Sequence, residues 1–383
     1  MITIVGAGVM GASVAYHLTA RGCRDVVLLD RGAGPGGGST SRATGGFRAQ
    51  YASAINIRLS LLARDKLQRF SDEVGPDPGY VPAGYLWVAS NERDLAELRA
   101  ALQLQHAEWL TEAAELTPED IRRLNPALAG DGIIGGTYCP TDGFLRPMAL
   151  LDGYLNAAVR AGARVEFGVD VRRLERGADG RVTRMVTSAG TREAGVVVNA
   201  AGAWAGALAA GAGLDVPVTP LRRQVAVTAP TDALPEGMPM TIFVEDGFHL
   251  RVRDGRVLLL WPTPGIEGRP FDTAVDPGWL AAIAGKAHER VPPLRGVRVD
   301  REGSWAGLYE MSPDKHAILG PAPGCPNLYL INGSSGHGVM HAPALGQLLA
   351  EMLLEGKATA LDTSPLRPER FAQGAPNPTS ELL

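Results

Sequence analysis

The chain has little cysteine, no excess of positive charge and no long apolar run, and each shortage removes a class of protein. Its three cysteines, Cys23, Cys139 and Cys325, lie far apart without metal-ligand spacing. An odd number does not build a disulfide framework, so free structural thiols and no metal are expected. A formal net charge of -4, with arginines and acids interleaved throughout, offers no basic footprint for nucleic acid. No apolar span has the length needed to cross a bilayer. The start, MITIVGAGVMGASVAYHL, has no basic leader and is broken by glycines, unlike a signal peptide. A cytoplasmic location is the expectation.

What is present describes a folded α/β protein. The 383 residues, 45% hydrophobic and 20% charged, can bury a sizeable core, and the length suggests two domains. Glycine and proline are scattered through periodic segments rather than gathered in one tract, so they read as turns and close backbone approaches.

Ile2 to Val5 is a short β-branched run, Val9 to Arg21 has helical periodicity ended by Gly22, and Val26 to Asp30 is again a buried-strand pattern. That is a βαβ unit. Helical spacing recurs over residues 54–73, from Glu92 to Trp109, from Pro147 to Ala161 and from Ala342 to Leu354, with Pro76, Pro78 and Pro82 marking a boundary. A hairpin turning at residues 178–180 precedes an apolar strand over 195–201. Short strand patterns over 224–228, 248–252 and 257–261 suggest an antiparallel sheet, and Leu328 to Ile331 a final strand.

Gly6-Ala7-Gly8-Val9-Met10-Gly11 lies between the first strand and the first helix, where glycines permit a tight turn, close approach of a pyrophosphate and helix–strand packing. Asp30, at the end of the next strand, is placed for a ribose diol and disfavours a 2′-phosphate. The loop that follows carries Gly36, Gly37, Gly38, Ser39, Thr40, Ser41, Arg42, Ala43, Thr44, Gly45 and Gly46. Its small residues suit backbone contact with a bulky ring system. A second glycine-rich stretch, Gly333 to Met340, opens into a helix whose positive end suits negative charge on a flavin. Two such cradles at opposite ends of one chain fit elongated FAD better than NAD.

With these motifs on the page, the chain resembles the D-amino-acid-oxidase superfamily, within it the group of the sarcosine oxidase β-subunit, dimethylglycine dehydrogenase and L-proline dehydrogenase β-subunit. The stretches that carry the resemblance are GAGVMGASVAYHL, GSTSRATGGFRAQY, VVVNAAGAWA, GLYEMSPDKHAILGP and NLYLINGSSGHGVMHAPALGQLLAEML. It implies a discontinuous Rossmann-type FAD domain of residues 1–77, 147–215 and 305–383. A mostly antiparallel substrate domain of residues 78–146 and 216–304 would roof the flavin. Gly6, Gly8, Gly11, Asp30 and its neighbour Arg31 would hold the ADP half, Val171 the adenine, and Ala201, Gly202 and Trp204 the pyrophosphate region. Ser39, Thr40, Ser41, Arg42, Thr44, Gly45, Gly46, Gly307, Gly336, His337, Gly338, Val339 and Met340 would line the flavin.

The resemblance further implies oxidation of a C–N bond in a small secondary or N-alkylated amino acid, of the sarcosine, dimethylglycine or proline type, by hydride transfer to FAD. D-amino-acid, glycine or 2-hydroxy-acid oxidation, or service as the flavin subunit of a larger complex with its own electron acceptor, are the alternatives. Arg48 is expected to clamp a substrate carboxylate, because a guanidinium matches it bidentately. Tyr309 is a candidate wall above the flavin, His249 a substrate contact and His337 an orienting group. A surface arginine, a core tyrosine and structural histidines are the plain alternatives. Three departures stand out. Gly307 occupies the place of a flavin-linking cysteine, which implies noncovalent FAD. The lysines, Lys66, Lys286, Lys315 and Lys357, lie outside the strands where oxidases carry an oxygen-activating lysine. Met340 stands where a carboxylate-binding lysine can occur, so a second carboxylate contact must come from elsewhere or be absent.

Overall fold

A computed structural model of the chain describes residues 1–262 and 270–379. Among them a six-stranded sheet runs in the order Ile318–Ala322, Cys325–Asn332, Val196–Asn199, Ile2–Val5, Val26–Asp30, Arg164–Phe167. All neighbours are parallel except the edge strand Ile318–Ala322. Both faces of this sheet are covered, which is why its strands read as continuous apolar runs rather than alternating ones. The helices Val9–Ala20, Ala54–Gln68, Pro147–Arg160 and Gly338–Glu355 share one core with it. An antiparallel sheet of Val171–Arg176, Val182–Thr187 and Gly190–Glu193 covers the other face.

One close contact fixes the geometry of the site. The helices Val9–Ala20 and Gly338–Glu355 meet where a Cβ on Gly346 would come 2.1 Å from Ser13 Oγ. The Ser13 hydroxyl donates to the Ala342 carbonyl at 2.8 Å. Glycine at 346 lets the two helices approach, and their N-termini converge. The Met10 methyl lies 3.5 Å from where a Gly338 Cβ would stand.

A second, eight-stranded sheet has the order Val299–Met311, Thr219–Thr228, Arg256–Leu260, His249–Arg253, Met240–Phe243, Tyr85–Ala89, Gly135–Cys139, Ala114–Leu116. It is antiparallel except for the pair Met240–Phe243 with Tyr85–Ala89. Its apolar core is built around Phe248, Leu250 and Leu259, closed by the helix Pro277–Arg290. No helix among the described residues is long and apolar enough to cross a membrane, and no group of three or more potential ligands there is arranged to hold a metal ion. All three cysteines are free.

The sequence reading needs correction in two helices. Residues 54–73 are two helices, Ala54–Gln68 and Phe70–Glu73, broken at Arg69. The last helix starts at Gly338, not Ala342, and carries Pro343 inside its second turn. The long strand Val299–Met311 pairs with Thr219–Thr228 on both sides of an irregularity that leaves residues 301–304 out of the ladder. Segments 263–269 and 380–383 of the expected domains lie outside the described residues.

Candidate cofactor and substrate site

A cavity of about 730 Å³ runs from the carboxyl ends of the parallel strands to the face of the eight-stranded sheet. At its first end lies the glycine turn. Gly6 has φ +106°, and a Cβ there would stand 2.3 Å from the Ala200 carbonyl oxygen. Only glycine fits that turn. Asp30 is pinned by the N–H groups of Ala7 at 2.8 Å and Gly32 at 2.7 Å, one on each carboxylate oxygen. The strand end therefore presents an oriented acid at the cavity edge. Arg31 lies over the Trp204 ring, 3.7 Å from its centroid, and Trp204 stacks on Phe271.

The small-residue loop crosses the middle. Thr40 Oγ1 accepts the Val9 N–H at 3.2 Å, so the loop is tied to the start of the first helix. Ser39 donates to the Leu308 carbonyl and Arg42 to that of Ala306, while Trp305 Nε1 donates back to the Arg42 carbonyl. These bonds clip the loop to the strand Val299–Met311. Gly307 is needed for that contact, since a Cβ there would come 2.8 Å from Arg42 Cβ.

The third wall is the turn Gly333–His337. Gly336 has φ +93°, and a Cβ on it would stand 2.4 Å from the Tyr309 ring. Tyr309 thus lies flush on the turn. Several buried polar atoms here have no hydrogen-bond partner among the described residues: both side-chain ends of Asn332, Ser334 Oγ and Glu310 Oε2. Such orphans are costly in a finished interior, and Glu310, the one of these residues that lines the cavity, points to a ligand that satisfies it.

At the far end two arginines face the space around Tyr309. Arg48, 7% exposed, donates to the Gln50 carbonyl at 2.6 Å and to His337 Nε2 at 3.3 Å. It lies over the rings of Tyr51 and Trp87. Asp142 holds this segment by accepting the N–H groups of Ala49 and Gln50. Burial lifts Asp142 to about 6 despite those bonds. Arg223 also lines the cavity, yet among the described residues it makes no hydrogen bond or ion pair; its guanidinium carbon lies 5.9 Å from the centre of the Tyr309 ring. Burial pulls the pKa of this cation below its ordinary value.

His249 is neutral, since burial lowers it to about 4. Its Nδ1–H donates to the Gly247 carbonyl at 2.7 Å, which leaves Nε2 as an acceptor. Burial and the Arg48 charge also hold His337 well below its ordinary range. His341, in the first turns of the helix Gly338–Glu355, is a core residue 2% exposed and bonded through Nε2 to Ser60 at 2.9 Å. Met340 takes the Tyr51 hydroxyl on its sulfur at 3.0 Å.

Of the residues singled out in the sequence, the cavity is lined by Gly6, Ala7, Gly8, Val9, Met10, Asp30, Arg31, Ser39, Thr40, Arg42, Thr44, Gly45 and Gly46. It is also lined by Arg48, Val171, Ala201, Gly202, Trp204, His249, Gly307, Tyr309, Gly336, His337, Gly338, Val339 and Met340. Gly11 and Ser41 do not line it. Gly11 backs the turn, where a Cβ would meet the Gly6 carbonyl at 2.0 Å, and Ser41 turns its hydroxyl to the Gly36 carbonyl at 2.6 Å. The sequence reading missed Arg223, Glu310, Tyr85, Met240 and Trp261, all of which line the space. No lysine is among the described lining residues.

A cavity of this length, with a glycine cradle and an oriented acid at one end and unsatisfied donors and acceptors beside a second helix start, fits FAD. Comparison with known proteins agrees. The model of the family described as FAD dependent oxidoreductase matches residues 1–352. Glycine oxidase of Geobacillus kaustophilus (strain HTA426) is 30% identical over 379 residues, covering 95% of each chain. Mitochondrial dimethylglycine dehydrogenase of Rattus norvegicus is 29% identical across 97% of this chain, which spans only 44% of that relative's length. The crystal structure of L-proline dehydrogenase from P. horikoshii superimposes with a TM-score of 0.89 at 26% identity, covering 98% of both chains. The chain belongs to this family of FAD-dependent oxidoreductases.

Proposed function

We propose that the chain oxidises the C–N bond of a small secondary or N-alkylated amino acid, such as sarcosine, dimethylglycine or proline, giving an imine. The observation that carries this reading is the cationic end of the cavity, where Arg48 and Arg223 flank Tyr309 beside the turn at Gly336. Bound FAD supplies the hydride acceptor. What remains for the protein is to bind a carboxylate, orient the carbon next to nitrogen and keep the amine neutral.

Arg48 and Arg223 share the carboxylate in this reading. Arg223 brings donors that no described residue uses, and Arg48 adds a charge already fixed by Gln50 and His337. With a secondary amine such as sarcosine or proline, His249 Nε2 accepts the substrate N–H and favours the orientation that exposes the C–H. Tyr309, backed by Gly336, walls the pocket. The residues that hold FAD are Gly6 to Met10 and Asp30 for the ADP half, Ser39 to Gly46 along the middle, and the turn Gly336 to Met340 at the ring. Noncovalent attachment is supported by Gly307, whose place has no room for a cysteine without moving Arg42. The lack of lysine among the described lining residues supports an electron acceptor other than oxygen, delivered by a partner protein or a soluble carrier.

The test is anaerobic titration of the purified flavoprotein with sarcosine, dimethylglycine, L-proline, glycine, D-amino acids and 2-hydroxy acids, following the visible flavin band. Fast bleaching by one N-alkylated amino acid is the expected result. Bleaching by 2-hydroxy acids alone would overturn the amine reading. Re-oxidation by air against re-oxidation by an artificial dye then separates oxidase from dehydrogenase.

A further inference from the structure

The polar atoms without partners around the second helix start are not all used by the substrate chemistry, and Glu310 is the one that carries a titratable group. Its Oε1 accepts the Ser334 N–H at 3.4 Å, and it lies 3.9 Å from where a Gly338 Cβ would stand. Its Oε2 is buried with no hydrogen-bond partner among the described residues, yet the residue lines the cofactor cavity. Both helix N-termini that converge on this space, at Val9 and Gly338, are arranged for anions. In the reading above, the bound dinucleotide brings its negative pyrophosphate to the first of them and the acceptor-rich edge of its ring to the second. A carboxylate in the same water-poor space would then be repelled by the cofactor it faces, while a carboxylic acid has an O–H to give it.

We propose that Glu310 binds FAD as a neutral carboxylic acid, donating a hydrogen bond from its unpartnered oxygen, so that each FAD bound is accompanied by uptake of a proton from solvent at neutral and alkaline pH. The protein without cofactor is already poised for it: burial pushes Glu310 up to about 7, against the pull of the Ser334 and Gly333 N–H groups. The sign follows from linkage. Below pH 7 the free protein carries the proton already and binding is independent of pH; above it, binding must recover a proton, so affinity falls as pH rises.

Other groups facing this space do not imitate the effect. Burial keeps His337 neutral throughout this range and raises Tyr309 further from it. Arg223, on the strand paired with Val299–Met311, and Arg48, behind His337, remain charged as guanidinium groups do. The turn Gly6–Gly11 has no titratable side chain.

The experiment is release of FAD from the holoprotein on dilution between pH 6 and 9, read by the fluorescence of freed FAD. The expected Kd is flat below pH 7 and rises by up to about tenfold per pH unit above it. Glu310→Gln keeps a donor and cannot ionise, so its Kd should stay flat near the low-pH value of the native protein. A native Kd that does not change across this range, or a Glu310→Gln curve that follows the native one, overturns the proposal. Should that variant fail to fold, calorimetry of FAD rebinding to the native protein at pH 7.5 in two buffers of different ionisation heat counts the protons directly. Uptake approaching one proton per FAD supports the assignment, and no uptake refutes it.

Discussion

Replacing Arg223 by methionine separates a substrate-binding arginine from a structural one. The native guanidinium faces the cavity and spends no donor on a described residue, so the variant leaves no carbonyl or carboxylate behind without its partner. Its neighbour Arg222 differs: it pairs with Asp272 and donates to the Ala274 carbonyl. Loss of Arg223 should therefore change folding stability by less than about 0.5 kcal/mol, as for sites without structural partners. Loss of its bond to a substrate carboxylate should cost about 1.5–3 kcal/mol, the range for hydrogen bonds to charged groups. That corresponds to a Kd roughly 10 to 150 times weaker. The assay is the perturbation of the flavin absorption band by acetate and by N-acetylglycine, alongside a thermal melt of each holoprotein. Arg223→Lys should recover part of the affinity, because it keeps the charge and loses the fork. If Arg223→Met binds these carboxylates as the native protein does, Arg223 is not part of the clamp.

Three further outcomes are expected. Gly6→Ala forces a side chain into a φ of +106° and within 2.3 Å of the Ala200 carbonyl; strain of about 1–3 kcal/mol should leave the purified protein depleted of FAD, and normal flavin content would refute the cradle. His249 is already neutral, with burial holding it at about 4, so His249→Gln should lower the bleaching rate without moving the pH dependence between pH 6 and 8; a shifted profile would mean that His249 ionises during turnover. Asp314 accepts Arg370 Nε and Nη2 at 2.8 and 2.9 Å and the Asn377 N–H at 3.0 Å. Burial opposes its ionisation, but those donors prevail and hold it at about 2. Because this folded value is depressed, the stability is present above pH 4 and about 2 kcal/mol of it is lost as pH falls toward 2; acid melts of the native protein that are flat from pH 4 to 2 would contradict it.

The parts legible in the sequence were those encoded over a few neighbouring residues. The turn Gly6 to Gly11 and the acid at Asp30 need only a strand, a tight turn and a helix in succession, and local steric rules dictate those residue types. The second sheet was legible as short strands but not as a register. The pairing of Val299–Met311 with Thr219–Thr228 joins residues about 80 apart, and nothing in either segment names the other. That is why Arg223 was missed. In the run Leu221-Arg222-Arg223-Gln224 the two arginines look alike, and only the pairing of Arg223 with Gly307 turns one toward the cofactor. Arg48 was legible because it follows the glycine loop directly, although its bonds to Gln50 and His337 were not.

Glu310 shows a different limit. It stands inside a motif that was noticed for Gly307 and Tyr309, and its neighbours gave no reason to read it as more than a strand residue. Its meaning comes from what is missing around it, a partner for a buried oxygen, and absence of a partner is a property of three dimensions. The same holds for Asn332 and Ser334, which end a strand and begin a turn. Stability alone would favour apolar or self-satisfied side chains at all three positions. Glu310 alone of the three lines the cofactor cavity, which makes ligand binding the more economical explanation of its polarity. It follows that filling the site with FAD should raise the melting temperature more in the native protein than in a Glu310→Leu variant, because only the native protein has that unmet hydrogen bond to satisfy.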